Sequence, residues 1–299
     1  ELLARAPTRS GRELGNLVSA GGQLFTQATT ELRGFRSRGE VERQIAADLS
    51  RDSHNPAALA ARGELALHDG RINEGLHDLQ AALEVAADPR SQTLVVETLL
   101  ERLRVDFAAH QQVIPELERL ASEPAQQIRL IRTIAEGLQN SGDNREAFRR
   151  YLQLLTFDDL SQLRHSFSDT WSVRLDRWVQ GQLSRLYETV SAEEQAALEE
   201  DVTEAVQTAI DSGQLPMLLR LASTFRQQDA GRTAEQAATG LVDPDEHPLL
   251  AEQLFLKQRA DGTPSQQLAA TTRLIRLYTD AERGMLVRDL LDELTSVRT

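Results

Sequence analysis

The sequence predicts an all-α fold: a right-handed solenoid of αα-hairpins with an irregular helical C-terminal half. Three observations carry that prediction. Apolar residues recur at helical spacing along most of the 299 residues. Strand signals are nearly absent: no sustained run alternates Val, Ile, Thr or aromatic residues, and no Asn-Gly or Asp-Gly pair joins two such runs. Two glycine turns, at Gly70 and Gly142, lie 72 residues apart, close to twice a repeat of about 34 residues.

The elements follow in chain order. In residues 1–39, Gly11, Gly15, Gly21, Gly22, Gly34 and Gly39 interrupt the periodicity. Each glycine costs a helix interior roughly 1 kcal/mol relative to alanine. This part reads as an arm or linker with partial helix. A first hairpin spans Asn55 to Pro89. Asn55-Pro56 opens a helix, with proline where a missing N–H costs least. His68-Asp69-Gly70-Arg71 is its turn, and Leu76, Leu79, Ala82 and Leu83 mark the second helix. A long helix from Gln92 to about Gln111 and a short one ending at Ala121 form an irregular unit. The second hairpin runs from Ile128 to Leu155 and turns at Gly142-Asp143-Asn144.

The remainder is helical but less regular. Trp171 to Tyr187 reads as one helix, and Ser191 with Glu194 as a capping box that opens a helix to Ile210. Leu215–Phe225 and Arg232–Gly240 form a short hairpin, and Asp243-Pro244 breaks the chain. Pro248–Arg259, Ser265–Tyr278 and Asp280–Val297 complete it, with Ser265 and Asp280 as caps. The expected organisation is an arm over 1–39, helical repeats over 40–156 and an irregular array over 157–299.

The two hairpins resemble the tetratricopeptide repeat. Gly63 falls at the small residue of the first helix, Gly75 and Ala82 at the small residues of the second, and Pro89 close to the closing proline. Ala135, Gly142 and Ala147 align with Gly63, Gly70 and Gly75. Neither copy carries the usual aromatic residue in its first helix. The resemblance implies a superhelix whose first helices line a groove for a peptide or a partner helix. The matching positions are Arg129, Arg132, Glu136, Gln139 and Asn140 on the second copy. On the first they are Ala57, Ala60, Glu64, Leu67 and His68. Two arginines suit a carboxylate, but the full set of a carboxylate-clamp groove is not matched.

A wider resemblance runs from Asn55 to Leu256. Leu99 to Phe107, Pro124 to Leu155, Trp178 to Leu183 and Leu215 to Glu252 are similar in order and phrasing to a known helical section. That section belongs to large planctomycete-type bacterial proteins with PQQ-binding-like β-propeller repeats. It implies an excised module of a larger, exported or envelope protein, with a cytoplasmic setting left open. The opening at Glu1, without methionine, reads as a processed product, an expressed segment or a piece of something longer.

Composition narrows the function. Lys plus Arg is 33 against 46 Asp plus Glu, a net charge of −13. Lys257 is the single lysine. Residues 1–50 carry seven arginines and six acids, so the helical array holds the acidity. The acidic balance argues against a nucleic-acid partner, and aromatics are only 4% of the chain. With no cysteine, disulfides and Cys-ligated metals are excluded. The stretch from Leu14 to Thr30 is too polar to span a membrane.

No reactive constellation emerges. Asp106 and His110 are at i and i+4, which an exposed helix pair explains. His165 near Asp158, Asp159 and Asp169 suggests a metal, but capping acids in a loop explain it as well. Asp243 to His247 is the densest set of possible ligands, yet acids before a helix are favoured by its dipole. The acids from Glu193 to Glu204 read as a solvated face, or as a dock for a basic partner. Trp171 and Trp178 share a face and read as core. No metal, cofactor or catalytic residue is expected. The expected role is a non-catalytic scaffold for protein partners or neighbouring domains, with oligomers possible. The alternative is an all-α enzyme or ligand-binding domain whose site is assembled from distant helices.

Overall fold

In the computed structural model, residues 16–20, 23–27, 32–166 and 171–296 are described. Gly11, Gly15, Gly21, Gly22 and Asp169, all singled out in the sequence, lie outside them. The fold is all-α, with helices packing against their sequence neighbours. Two compact units divide the chain: Glu1–Val105 with Gln112–Ala121, and Asp106–Gln111 with Ser122–Thr299.

The first unit opens with strands where the glycine spacing predicts partial helix. β1 (Asn16–Ala20), β2 (Gln23–Gln27) and β3 (Leu32–Phe35) form an antiparallel meander. The register places Phe25 opposite Gly34. A Cβ on Gly34 would stand 3.1 Å from the Phe25 ring, so this glycine admits the ring instead of breaking a helix. α1 (Arg38–Arg51) follows, capped by the Ser37–Glu40 capping box.

α2 (Pro56–His68) starts at Asn55, whose side chain accepts from the Ala58 N–H. α3 (Ile72–Val85) returns after Gly70, which takes the left-handed φ of 76° that the turn requires. The two helices meet at their glycines. A Cβ on Gly63 would lie 2.8 Å from Leu79 and 2.9 Å from the Gly75 carbonyl oxygen. The small residues of the repeat therefore set the helix–helix distance. Leu59, Ala66, Leu76, Leu79 and Ala82 are buried around this seam. Arg62 bridges it with two hydrogen bonds to the buried Asp78, at 2.6 and 2.7 Å. α4 (Pro89–Val105) adds Val95, Val96, Leu99 and Leu103 to the core, and α6 (Ile114–Leu120) packs on it through Leu117. Between them in sequence, α5 (Phe107–His110) belongs to the second unit.

In the second unit, α7 (Pro124–Ser141) and α8 (Asn144–Leu154) form the second hairpin. Gly142 turns it at φ 88°, and Asp143 caps α8. A two-stranded ribbon follows, β4 (Arg164–Ser166) with β5 (Ser172–Arg174). α9 (Leu175–Thr189) and α10 (Ala192–Asp211) come next, the latter opened by the Ser191–Glu194 capping box. α11 (Leu215–Thr224) and α12 (Asp229–Leu241) pair, as do α13 (Pro248–Asp261) and α14 (Pro264–Asp280), before α15 (Gly284–Ser296).

One core runs from Ile128 on α7 to Ala238 on α12, and a smaller one joins α13, α14 and α15 through Phe255, Leu274 and Leu290. Across the larger core, Arg145 and Arg149 on α8 both donate to Asp201 on α10 at 3.0 Å. Three expectations change here. α9 begins at Leu175, not at Trp171, because the ribbon occupies the residues before it. Thr263, not Ser265, caps α14, in a capping box with Gln266. Asp280 ends α14 instead of capping α15.

Candidate partner-binding surface

The residues read as groove-lining fall in both units, and each set is described within its own. On α2, Glu64 accepts from Arg90 of α4 at 2.6 and 3.2 Å. Leu67 is half-buried against α3, where its side chain fills the space a Cβ on Gly75 would need. Ala57 and His68 are exposed, and Ala60 is half-buried.

On α7 the five predicted residues run along one helix. Arg129 and Asn140 are exposed; Arg132, Glu136 and Gln139 are half-buried. Arg132 and Glu136, one turn apart, approach to 3.8 Å, longer than a hydrogen bond. Gln139 accepts from the Tyr151 hydroxyl at 3.0 Å. Burial pushes the Tyr151 phenol well above its ordinary value, with Glu136 adding to the rise.

Arg132 meets a group that the sequence did not connect with it. Its Nη1 lies 3.1 Å from Nδ1 of His165 on β4. A guanidinium only donates, so the imidazole accepts at Nδ1 and is neutral, with its proton on Nε2. Burial, then the Arg132 charge, holds the His165 pKa below its ordinary value. The same ring stacks on Trp178 of α9, with centroids 4.6 Å apart. Tyr151 meets Trp178 edge-on at 5.7 Å. Arg132 Nε is buried without a hydrogen-bond partner. The aromatic rings lie in the core beneath this face, which presents Arg129 and Asn140 to solvent with Arg132, Glu136 and Gln139 half-buried. The only periodic hint in the sequence was Trp178, since His165 sits in a ribbon with no strand signature.

The two tryptophans separate. Trp178 is 7% exposed and belongs to the core, whereas Trp171, which directly precedes β5 and not a helix, is 75% exposed. The remaining candidates are local structure. Asp106 caps α5 by accepting from Ala109 N–H, and the His110 ring lies 3.0 Å from the Ala109 carbonyl. Asp158 pairs with Arg220 at 2.7 Å. Asp243 accepts from the Asp245 N–H in a turn ahead of Pro248. Glu194 serves the α10 cap. Among the described residues no group of three or more His, Asp and Glu side chains is placed to hold a metal ion. None of their helices is long and apolar enough to cross a membrane.

Fold and surface together define a helical-repeat protein. Residues 35–158, less than half of the chain, match the family model described as the bacterial transcriptional activator domain, a helical fold of tetratricopeptide type. No curated protein matches the chain. The match gives no support to the resemblance to planctomycete propeller proteins.

One expectation is overturned. The acidic balance predicts no nucleic-acid partner, and the matched family is that of transcriptional activators, which act at DNA. Net charge misled because it sums over a whole surface. Many arginines here are spent on internal pairs, such as Arg62 with Asp78 and Arg145 with Asp201, and the sum says nothing about the proteins or DNA an assembly contacts.

Proposed function

We infer that the chain is the helical regulatory part of a bacterial transcriptional activator, non-catalytic, and that it works through protein contacts made by its repeats. The match of residues 35–158 to the bacterial transcriptional activator domain carries this reading. The repeats of residues 40–156 are the interaction part, and residues 157–299 continue them as a helical array. Within the second unit, the contact surface is the face of α7 that carries Arg129, Arg132, Glu136, Gln139 and Asn140. In the first it is the α2 positions Glu64, Leu67 and His68. Stacked helical hairpins expose long faces suited to partner proteins, and the α7 face presents Arg129, of a residue type enriched at protein interfaces, and Asn140 to solvent.

Transcript profiling tests this reading. Deleting residues 35–158 from the full gene product in the host bacterium lowers the transcripts of a defined gene set. Transcript levels unchanged by that deletion contradict it.

A further inference from the structure

Trp171 stands in water at the start of β5, although tryptophan is highly buried on average. The strand it leads into is anchored. Val173 packs on the core, the Leu175 N–H donates to the Leu163 carbonyl at 2.9 Å, and His165 is held by Arg132 and Trp178. Beside the indole, Arg164 of β4 is spread over the residue that follows Trp171. Its Nε donates to Ser172 Oγ at 2.8 Å and its Nη2 to the Ser172 carbonyl at 3.0 Å. Both acceptors are neutral. Arg164 is exposed and forms no ion pair among the described residues. Arg174, its partner across the ribbon, is instead taken by Asp176 at 2.6 Å. The ribbon thus presents an exposed indole and a positioned, uncancelled positive charge, on a chain whose net charge is −13.

We propose that the ribbon is a second protein-contact site. Trp171 enters an apolar pocket on an acidic surface of a partner protein, and Arg164 pairs with a carboxylate of that surface. Tryptophan and arginine are the residue types that carry most binding energy at interfaces, and a guanidinium matches a carboxylate in shape as well as charge. Ser172 already orients the guanidinium, so less freedom is lost on binding. One side of an ordinary interface covers about 800 Å², which takes in both neighbouring residues. A second copy of the chain carries the same net negative charge and is repelled, so the partner is a different protein. Both residues lie outside residues 35–158, and the contact does not depend on the proposed transcriptional role.

The test replaces Trp171 with the photo-crosslinking aromatic p-benzoylphenylalanine in the full gene product and illuminates the living host bacterium. One discrete protein adduct is expected, absent when the same probe replaces the exposed Glu200 on α10. The cross-linked partner peptide is expected to contain Asp or Glu. Arg164→Gln keeps an amide donor for Ser172 and removes the charge, and is expected to lower the adduct yield about fivefold, the effect of losing one exposed ion pair. The proposal is overturned if position 171 gives no adduct or gives no more than position 200. It is also overturned if Arg164→Gln leaves the yield unchanged, or if the adduct is with nucleic acid or a second copy of the chain. Should Arg164→Gln unfold by circular dichroism, the peptide map decides alone, and a cross-linked peptide without an acidic residue contradicts the proposal.

Discussion

Arg132 donates to Nδ1 of His165 across 3.1 Å, and this contact requires the imidazole to be neutral. The folded protein thus holds His165 below its ordinary pKa of 6.5, through burial and then the Arg132 charge. A pKa depressed by folding contributes stability that is complete above the unfolded value and is lost as pH falls through the folded one. The thermal midpoint should therefore drop on acidification below about pH 6.5. His165→Gln, which keeps a polar acceptor and cannot titrate, should flatten that drop. Equal pH slopes for the two proteins would show that His165 is not the titrating group.

Asp201 ties α8 to α10 with hydrogen bonds from two arginines. Burial pushes its carboxyl up, but the hydrogen bonds from Arg145 and Arg149 outweigh burial and leave it below the usual carboxylate value. Its contribution is present above the unfolded carboxylate pKa of about 3.9 and is lost as pH falls below it. Asp201→Asn keeps the shape and removes the charge. Both arginines are open to water and can be resolvated, so the expected cost in urea unfolding is about 1–3 kcal/mol. The exposed Asp69, held by Arg38 at 2.6 and 2.8 Å with its pKa lowered to about 2, is the contrast: Asp69→Asn should leave the urea midpoint within error at neutral pH.

Two glycines predict opposite signs. Gly63→Ala drives a methyl group to 2.8 Å from Leu79 and 2.9 Å from backbone on α3, and should destabilise by about 1–3 kcal/mol through overpacking. At Gly181, inside α9, an added Cβ would meet nothing within 4 Å. Gly181→Ala should stabilise by roughly 0.5–1 kcal/mol, the helix preference for alanine. A stabilising Gly63→Ala would refute the close packing of α2 on α3.

Much of the fold was readable because helical signals are local. The capping box at Ser191, the turns at Gly70 and Gly142, and the small residues at Gly63 and Gly75 each declare themselves within a few positions. The strands did not. β1 to β3 are four or five residues long, and Gly34, whose type suggests a helix breaker, is paired across the sheet with Phe25. For the candidate surface, the repeat spacing picked out Arg132, Glu136 and Gln139 on α7. It could not find His165, which is 33 residues away and arrives on a ribbon. It also grouped Trp171 with Trp178, since a seven-residue spacing looks helical whether or not a helix connects the two. The matched family's association with DNA was invisible for another reason: net charge carries no information about contacts made through a partner or another domain.

We propose that the chain regulates transcription through protein contacts on α7. The most direct measurement combines Arg129→Glu with Asn140→Lys, both exposed, in the full gene product and follows transcript levels in the host bacterium. The regulated transcripts are expected to fall while the protein stays folded and its abundance is unchanged. Unaltered transcripts in that doubly substituted strain would contradict it.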